Sequence, residues 1–150
     1  MRNGPEKSFT VPKIFVDTNP FVYSLEKMDG TKNGKARVIL EKIIESHHSV
    51  ISTQVIKKYY VAATTKMKVD KIVIKNIVHN FRNMEIVQSD LNLIEQTIDI
   101  SVISQLSFWD SLIMSAAEKA KCEFVFSEDR NPGQTYRGAM LINHFEKYDF

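Results

Sequence analysis

The chain has 150 residues, 43% hydrophobic and 25% charged, with 20 basic against 18 acidic side chains and a net charge of +2. Such a chain suits one globular domain with its own core. The composition excludes a disordered or fibrous class and neither demands nor excludes nucleic acid, so any such surface is a local patch.

The lone cysteine, Cys122, allows no intrachain disulfide and favours a reducing, cytoplasmic setting. No apolar run approaches the roughly 18 to 20 residues of a membrane span, so no membrane association is expected. The opening stretch "MRNGPEKSFTVP" has no apolar h-region. It reads as a flexible tail over residues 1–12, not a signal peptide, ahead of a single domain over 13–150.

Short apolar runs then alternate with longer amphipathic ones. Ile14 to Val16 reads as a first strand, closed by Asp17. Asn19 is a favoured N-cap and Pro20 suits the first helical position, so a helix opens there. Gly30 to Gly34 forms a loop. In "KARVILEKIIES", residues 35–46, Val38, Ile39 and Ile43 space like one face of a helix. Ser49 to Ser52 is a second strand, and Thr53 caps a helix running to about Lys66. Asp70 caps the next, with Val73, Ile74, Ile77, Val78 and Phe81 as its buried stripe. "EIVQ", residues 85–88, is a third strand, followed by a helix over about 91–104. Residues 109–121 are helical again, with Leu112, Ile113, Ala116, Ala117 and Ala120 on one face. Glu123 to Phe126 is a fourth strand and Met140 to Ile142 a fifth.

Strands alternating with helices pair in parallel through right-handed crossovers. The expected fold is α/β: a three-layer α/β/α sandwich around a mostly parallel five-stranded sheet. Ligands bind such folds at the carboxyl ends of the strands.

Three acids belong to that edge. Asp17 follows the first strand, and is either a turn residue or a ligand; because Asn19 can cap the helix, Asp17 is left free for chemistry. Asp110, in "LSFWDSLIMSAA", stands three residues after Ser107 and completes a capping box, or faces the site. Asp129, in "FVFSEDRN", is a turn residue or a third ligand, with Glu128 beside it as a supporting or merely solvated group. Three converging carboxylates repel and raise one another's pKa values unless a hard cation such as Mg²⁺ relieves them. Such an ion can activate water against a phosphodiester.

In order along the chain, "FVDTNPFVY", "ISTQVIKKYYVAATTK", "LSFWDSLIMSAAEKAKC" and "VFSEDRNPGQTYRG" resemble the successive motifs of a PIN domain, and are most similar to the VapC-like toxins of bacterial type II toxin–antitoxin pairs. The resemblance spans about residues 13–145. It implies an Mg²⁺- or Mn²⁺-dependent endoribonuclease of cytoplasmic RNA, a homodimer, checked by a cognate antitoxin lying over residues around 20–46 and 54–66. It implies that Asp17, Asp110 and Asp129 are catalytic metal ligands. Thr18, Asn19 and Ser127 fall on the polar supporting positions.

One position departs from the pattern. The family carries a glutamate on the helix after the second strand, where "STQVIKKYY" places Lys58, and no acid occurs between Glu45 and Asp70. An ammonium there changes the formal charge of the site by two units. An opposed pair at about 4 Å is worth roughly 4 kcal/mol at an effective dielectric near 20, so Lys58 is expected to pair with Asp17 or Asp110 in place of the metal. The expectation is a folded chain that holds Mg²⁺ weakly and has impaired cleavage. The alternative is an inert scaffold that binds antitoxin, with RNA as a second ligand.

Other features carry less. Arg130, Gln134 and Arg137 are candidates for phosphate contacts beside the site. Lys71, Lys75, His79 and Arg82 form one basic helical face, read as solvated in preference to RNA-binding. Phe21, Tyr23, Tyr59 and Tyr60 space like core or interface residues more than base-stacking ones. The four histidines show no ligand spacing for zinc, and no glycine-rich phosphate loop is present. A phosphoacceptor domain built around Asp17 is disfavoured by the lack of a paired acid beside it.

Overall fold

The computed structural model describes residues 12–25, 41–42, 48–127, 135–136 and 139–142. The expected tail at 1–12 therefore lies outside the described residues except for Pro12, as does the expected helix at 35–46 except for residues 41–42, which are helical.

The strands are β1 (Lys13–Val16), β2 (His48–Ser52), β3 (Glu85–Val87), β4 (Phe124–Phe126), β5 (Thr135–Tyr136) and β6 (Ala139–Ile142). They form one sheet in the order β3-β2-β1-β4-β6-β5. Every pair is parallel except β5 with β6. All five expected strands are present. The two-residue β5 joins them at the edge, too short to leave a periodic signal in the sequence.

Ile14, Phe15 and Val16 in β1, and Val50 and Ile51 in β2, are fully buried although alternate residues face opposite sides of the sheet. Both faces are therefore covered, as a parallel sheet requires. This is the expected α/β fold. The covering helices are α1 (Thr18–Tyr23), α2 (Thr53–Val61), α3 (Lys71–Asn80), α4 (Leu91–Ser104) and α5 (Phe108–Lys119). Among the described residues no single helix is long and apolar enough to cross a membrane.

An aromatic trio ties the early helices together. Phe21 of α1 meets Tyr59 of α2 edge-on at 6.2 Å between centroids, and Phe81, in the 3₁₀ turn after α3, lies 5.2 Å from Phe21 and 5.3 Å from Tyr59. These rings are core, as the sequence suggests for Phe21 and Tyr59. Of the stripe expected on α3, Ile74, Ile77, Val78 and Phe81 pack inward, whereas Val73 is exposed. Lys71, Lys75, His79 and Arg82 are all exposed.

Two caps differ from expectation. The N-cap of α1 is Asp17, not Asn19: its carboxylate accepts the Thr18 N–H at 2.7 Å. The N-cap of α2 is Ser52, not Thr53, with its hydroxyl accepting the Val55 N–H at 3.2 Å. In both cases the chain turns one or two residues earlier than the sequence suggests, because Asp and Ser cap as well as Asn and Thr do. The other two caps stand as expected. Asp70 accepts from Ile72 N–H at 2.8 Å, and Ser107 from Asp110 N–H at 3.1 Å.

Candidate functional site

The register of β1 against β4 builds the site. Val16 stands beside Phe126, so the next residues, Asp17 and Ser127, leave the sheet side by side. The Asp17 N–H continues the ladder to the Phe126 carbonyl at 3.0 Å. The Ser127 hydroxyl then donates to Asp17 Oδ2 at 2.9 Å, while Oδ1 takes the Thr18 N–H. The carboxylate is 92% buried by residue and held through both oxygens, yet each oxygen keeps a further lone pair. Asp17 thus does both things the sequence allowed: it caps a helix and it faces a cleft.

That cleft has a volume of about 500 Å³. Asp17, Thr18 and Asn19 form its floor at the end of β1. One wall is α2 and the turn after it, through Gln54, Lys57, Lys58, Val61 and Lys66. The other is the start of α5, through Trp109, Asp110 and Ile113. Gln54, Lys58 and Val61 share a wall because they follow helical spacing. Past Val61 the helix widens into a π turn, Ala62–Lys66, with the Met67 N–H reaching back to the Ala62 carbonyl at 3.1 Å. The Thr65 hydroxyl donates to the Val61 carbonyl and that of Thr64 to Tyr60 at 2.8 Å. The wider turn keeps Thr65 and Lys66 on the cleft wall.

Asp110 reaches the cleft because Ser107 fixes the first turn of α5. Lys58 does not pair with either aspartate as expected. Among the described residues its ammonium makes no ion pair; it lies over the indole of Trp109, 5.4 Å from the ring centroid. An aromatic face attracts a cation and leaves it partly hydrated, whereas burial against Asp17 would strip that water.

Two carboxylates face one cleft, and the Thr18 hydroxyl beside Asp17 is buried without a hydrogen-bond partner among the described residues. These oxygens fit a hard divalent ion by type. The lysines at 57, 58 and 66 oppose it by charge, outnumbering the two aspartates among the described residues. Among the described residues no three potential ligating side chains cluster. Asp129, the expected third carboxylate, lies outside the described residues, as do Glu128, Arg130, Gln134 and Arg137. Sequence reasoning missed Trp109, Lys57 and Lys66. Lys57 follows Gln54 at the i+3 spacing of one helix face, whereas Lys66 lies in the π turn, where that spacing no longer holds.

No protein-family model matches the chain, and no curated protein matches it. Solved structures do. VapC20 of Mycobacterium tuberculosis, described as a sarcin-ricin loop cleaving toxin, superposes with a TM-score of 0.60 at 17% identity, over 77% of this chain and 91% of its own. A toxin–antitoxin complex from Klebsiella pneumoniae gives 0.59 at 16% identity, over 77% and 86%. VapBC2 of Rickettsia felis, bound to a DNA fragment from its promoter, gives 0.62 at 14%, over 87% and 98%. The chain therefore has the fold of these VapC and VapBC proteins, the PIN-like fold that its motifs imply.

Proposed function

We propose that this chain is a VapC-like endoribonuclease toxin whose cleavage is impaired by Lys58. The observation that carries this reading is the meeting of Asp17, at the end of the central strand, with Asp110, on the first turn of α5, in one cleft of a VapC-type fold. Asp17 and Asp110, with Asp129, would hold Mg²⁺ or Mn²⁺, weakly in this chain. When bound, the ion supplies an activated water and charge stabilisation at the scissile phosphate. Ser127 and Thr18 orient the Asp17 carboxylate, Asn19 lines the floor, and Lys58 leaves the cleft without the carboxylate that would position water. Glu128 would support the site from beside Asp129, and Arg130, Gln134 and Arg137 would contact the substrate backbone.

The partners in this reading are RNA, a cognate antitoxin and a second copy of the chain. The toxin–antitoxin assemblies among the similar structures support the antitoxin. The exposed Leu91, Ile98, Val102 and Ile103 on α4 support a homodimer. The free, buried thiol of Cys122 agrees with a cytoplasmic setting.

A second reading, an inert scaffold that binds antitoxin and RNA, is favoured by the excess of lysine over aspartate among the described residues of the cleft. Metal-dependent cleavage of structured RNAs separates the two. A sarcin-ricin loop is the first substrate to try, since a similar structure is a toxin that cleaves it. The Lys58→Glu variant should cleave and the parent should cleave far less. Equal cleavage by both sinks the role given to Lys58, and cleavage by neither leaves the scaffold reading.

A further inference from the structure

The geometry points to Trp109 as a stacking platform for one unpaired nucleobase, with Lys57, Lys58 and Lys66 holding the phosphates beside it. This rests on the ribonuclease reading and deepens it: the substrate would be RNA that presents an unstacked base next to the scissile bond.

Trp109 is the chain's one tryptophan. It is 51% exposed, so about half of this large ring is open to a ligand. It immediately precedes Asp110 and lines the same cleft. The ring is not loose. Phe108 meets it in a T-shaped contact, 5.1 Å between centroids at 86°, so a neighbouring ring braces the indole. What lies over the face is the Lys58 ammonium.

A cation on an indole face marks a surface that a base can take over. Stacking is tolerant of base identity, because every base has a π face. The incoming base displaces the ammonium, which then meets the phosphate the base brings with it. Lys57 and Lys66 on the facing wall extend the positive track. The volume of about 500 Å³ is in the range of small-molecule sites and is enough for a nucleotide, and a base stacked inside a duplex has no free face to offer the indole.

The single tryptophan makes the test direct, since all indole emission comes from the cleft. The chain is titrated in chelator with a short single-stranded 2′-O-methyl oligoribonucleotide, which it cannot cleave, and with the duplex of the same sequence. Saturable quenching by the single strand, and weaker binding of the duplex, are expected. By polarisation of a labelled strand, Trp109→Ala should bind about tenfold more weakly and Trp109→Phe should keep most of the affinity. An unchanged circular-dichroism spectrum and melting temperature guard against misfolding. Equal binding by Trp109→Ala and parent, or equal binding of duplex and single strand, overturns the platform. If that happens while Lys58→Glu cleaves RNA, the ribonuclease reading stands and the platform alone falls. If parent and Lys58→Glu neither bind nor cleave, both fall.

Discussion

The Ser127 hydroxyl donates to Asp17 Oδ2 at 2.9 Å across the carboxyl edge of β1 and β4. Removing it leaves a buried carboxylate oxygen short of a donor. Ser127→Ala should destabilise the fold by about 1–3 kcal/mol, the usual penalty for orphaning such a group. Urea unfolding followed by circular dichroism checks this, and a loss within error of zero means water replaces the hydroxyl.

The trio of Phe21, Tyr59 and Phe81 joins α1, α2 and the end of α3. Phe21→Ala opens a cavity among rings that cannot collapse onto one another. The expected loss is about 3–5 kcal/mol, and a smaller one for Phe21→Leu, which fills more of the space. Both variants are read by the same urea titration, and equal losses would mean the site is plastic.

Burial pushes the Cys122 thiol from its ordinary 9.0 up to about 12, and the Tyr59 phenol from 10.0 up to about 12. The unfolded chain releases these protons first. Stability is therefore full below pH 9 and falls as pH rises from 9 towards 12. Each group contributes at most about 1.4 kcal/mol per pH unit. Cys122→Ala should flatten the first part of this alkaline decline in pH-dependent urea melts. A decline as steep as the parent's would show that the thiol titrates in the folded state.

Lys58 should also be visible without any substrate. A bound ion stabilises the folded state by mass action. Thermal melts in Mn²⁺ should rise for Lys58→Glu and stay nearly flat for the parent. A rise in the parent equal to the variant's would remove the charge argument against metal binding.

Most of the scaffold was legible in the sequence. Ile14 to Val16 is a short apolar run bounded by turn residues and reads as a covered strand, and Asp70 and Ser107 cap where their chemistry says they should. The cap of α1 was ambiguous because Asp17 and Asn19 cap equally well. The choice fell to Asp17 because Ser127, far away in the chain, fixes its carboxylate. The contact of Lys58 with Trp109 joins two helices, and no local pattern announces it. Coulomb's law alone favoured an aspartate for Lys58; desolvation favoured the indole.

The two ends of the Asp17–Ser127 bond lie 110 positions apart. During synthesis the acid leaves the ribosome long before its partner. A growing chain has β1 and β2 available early, yet β4, which lies against β1 on its other side, arrives late. Until Ser127 emerges, Asp17 has only the Thr18 amide to orient it. The cleft thus takes its final form only after residue 127 has emerged, so a product truncated or stalled before that point carries the acid without its aim.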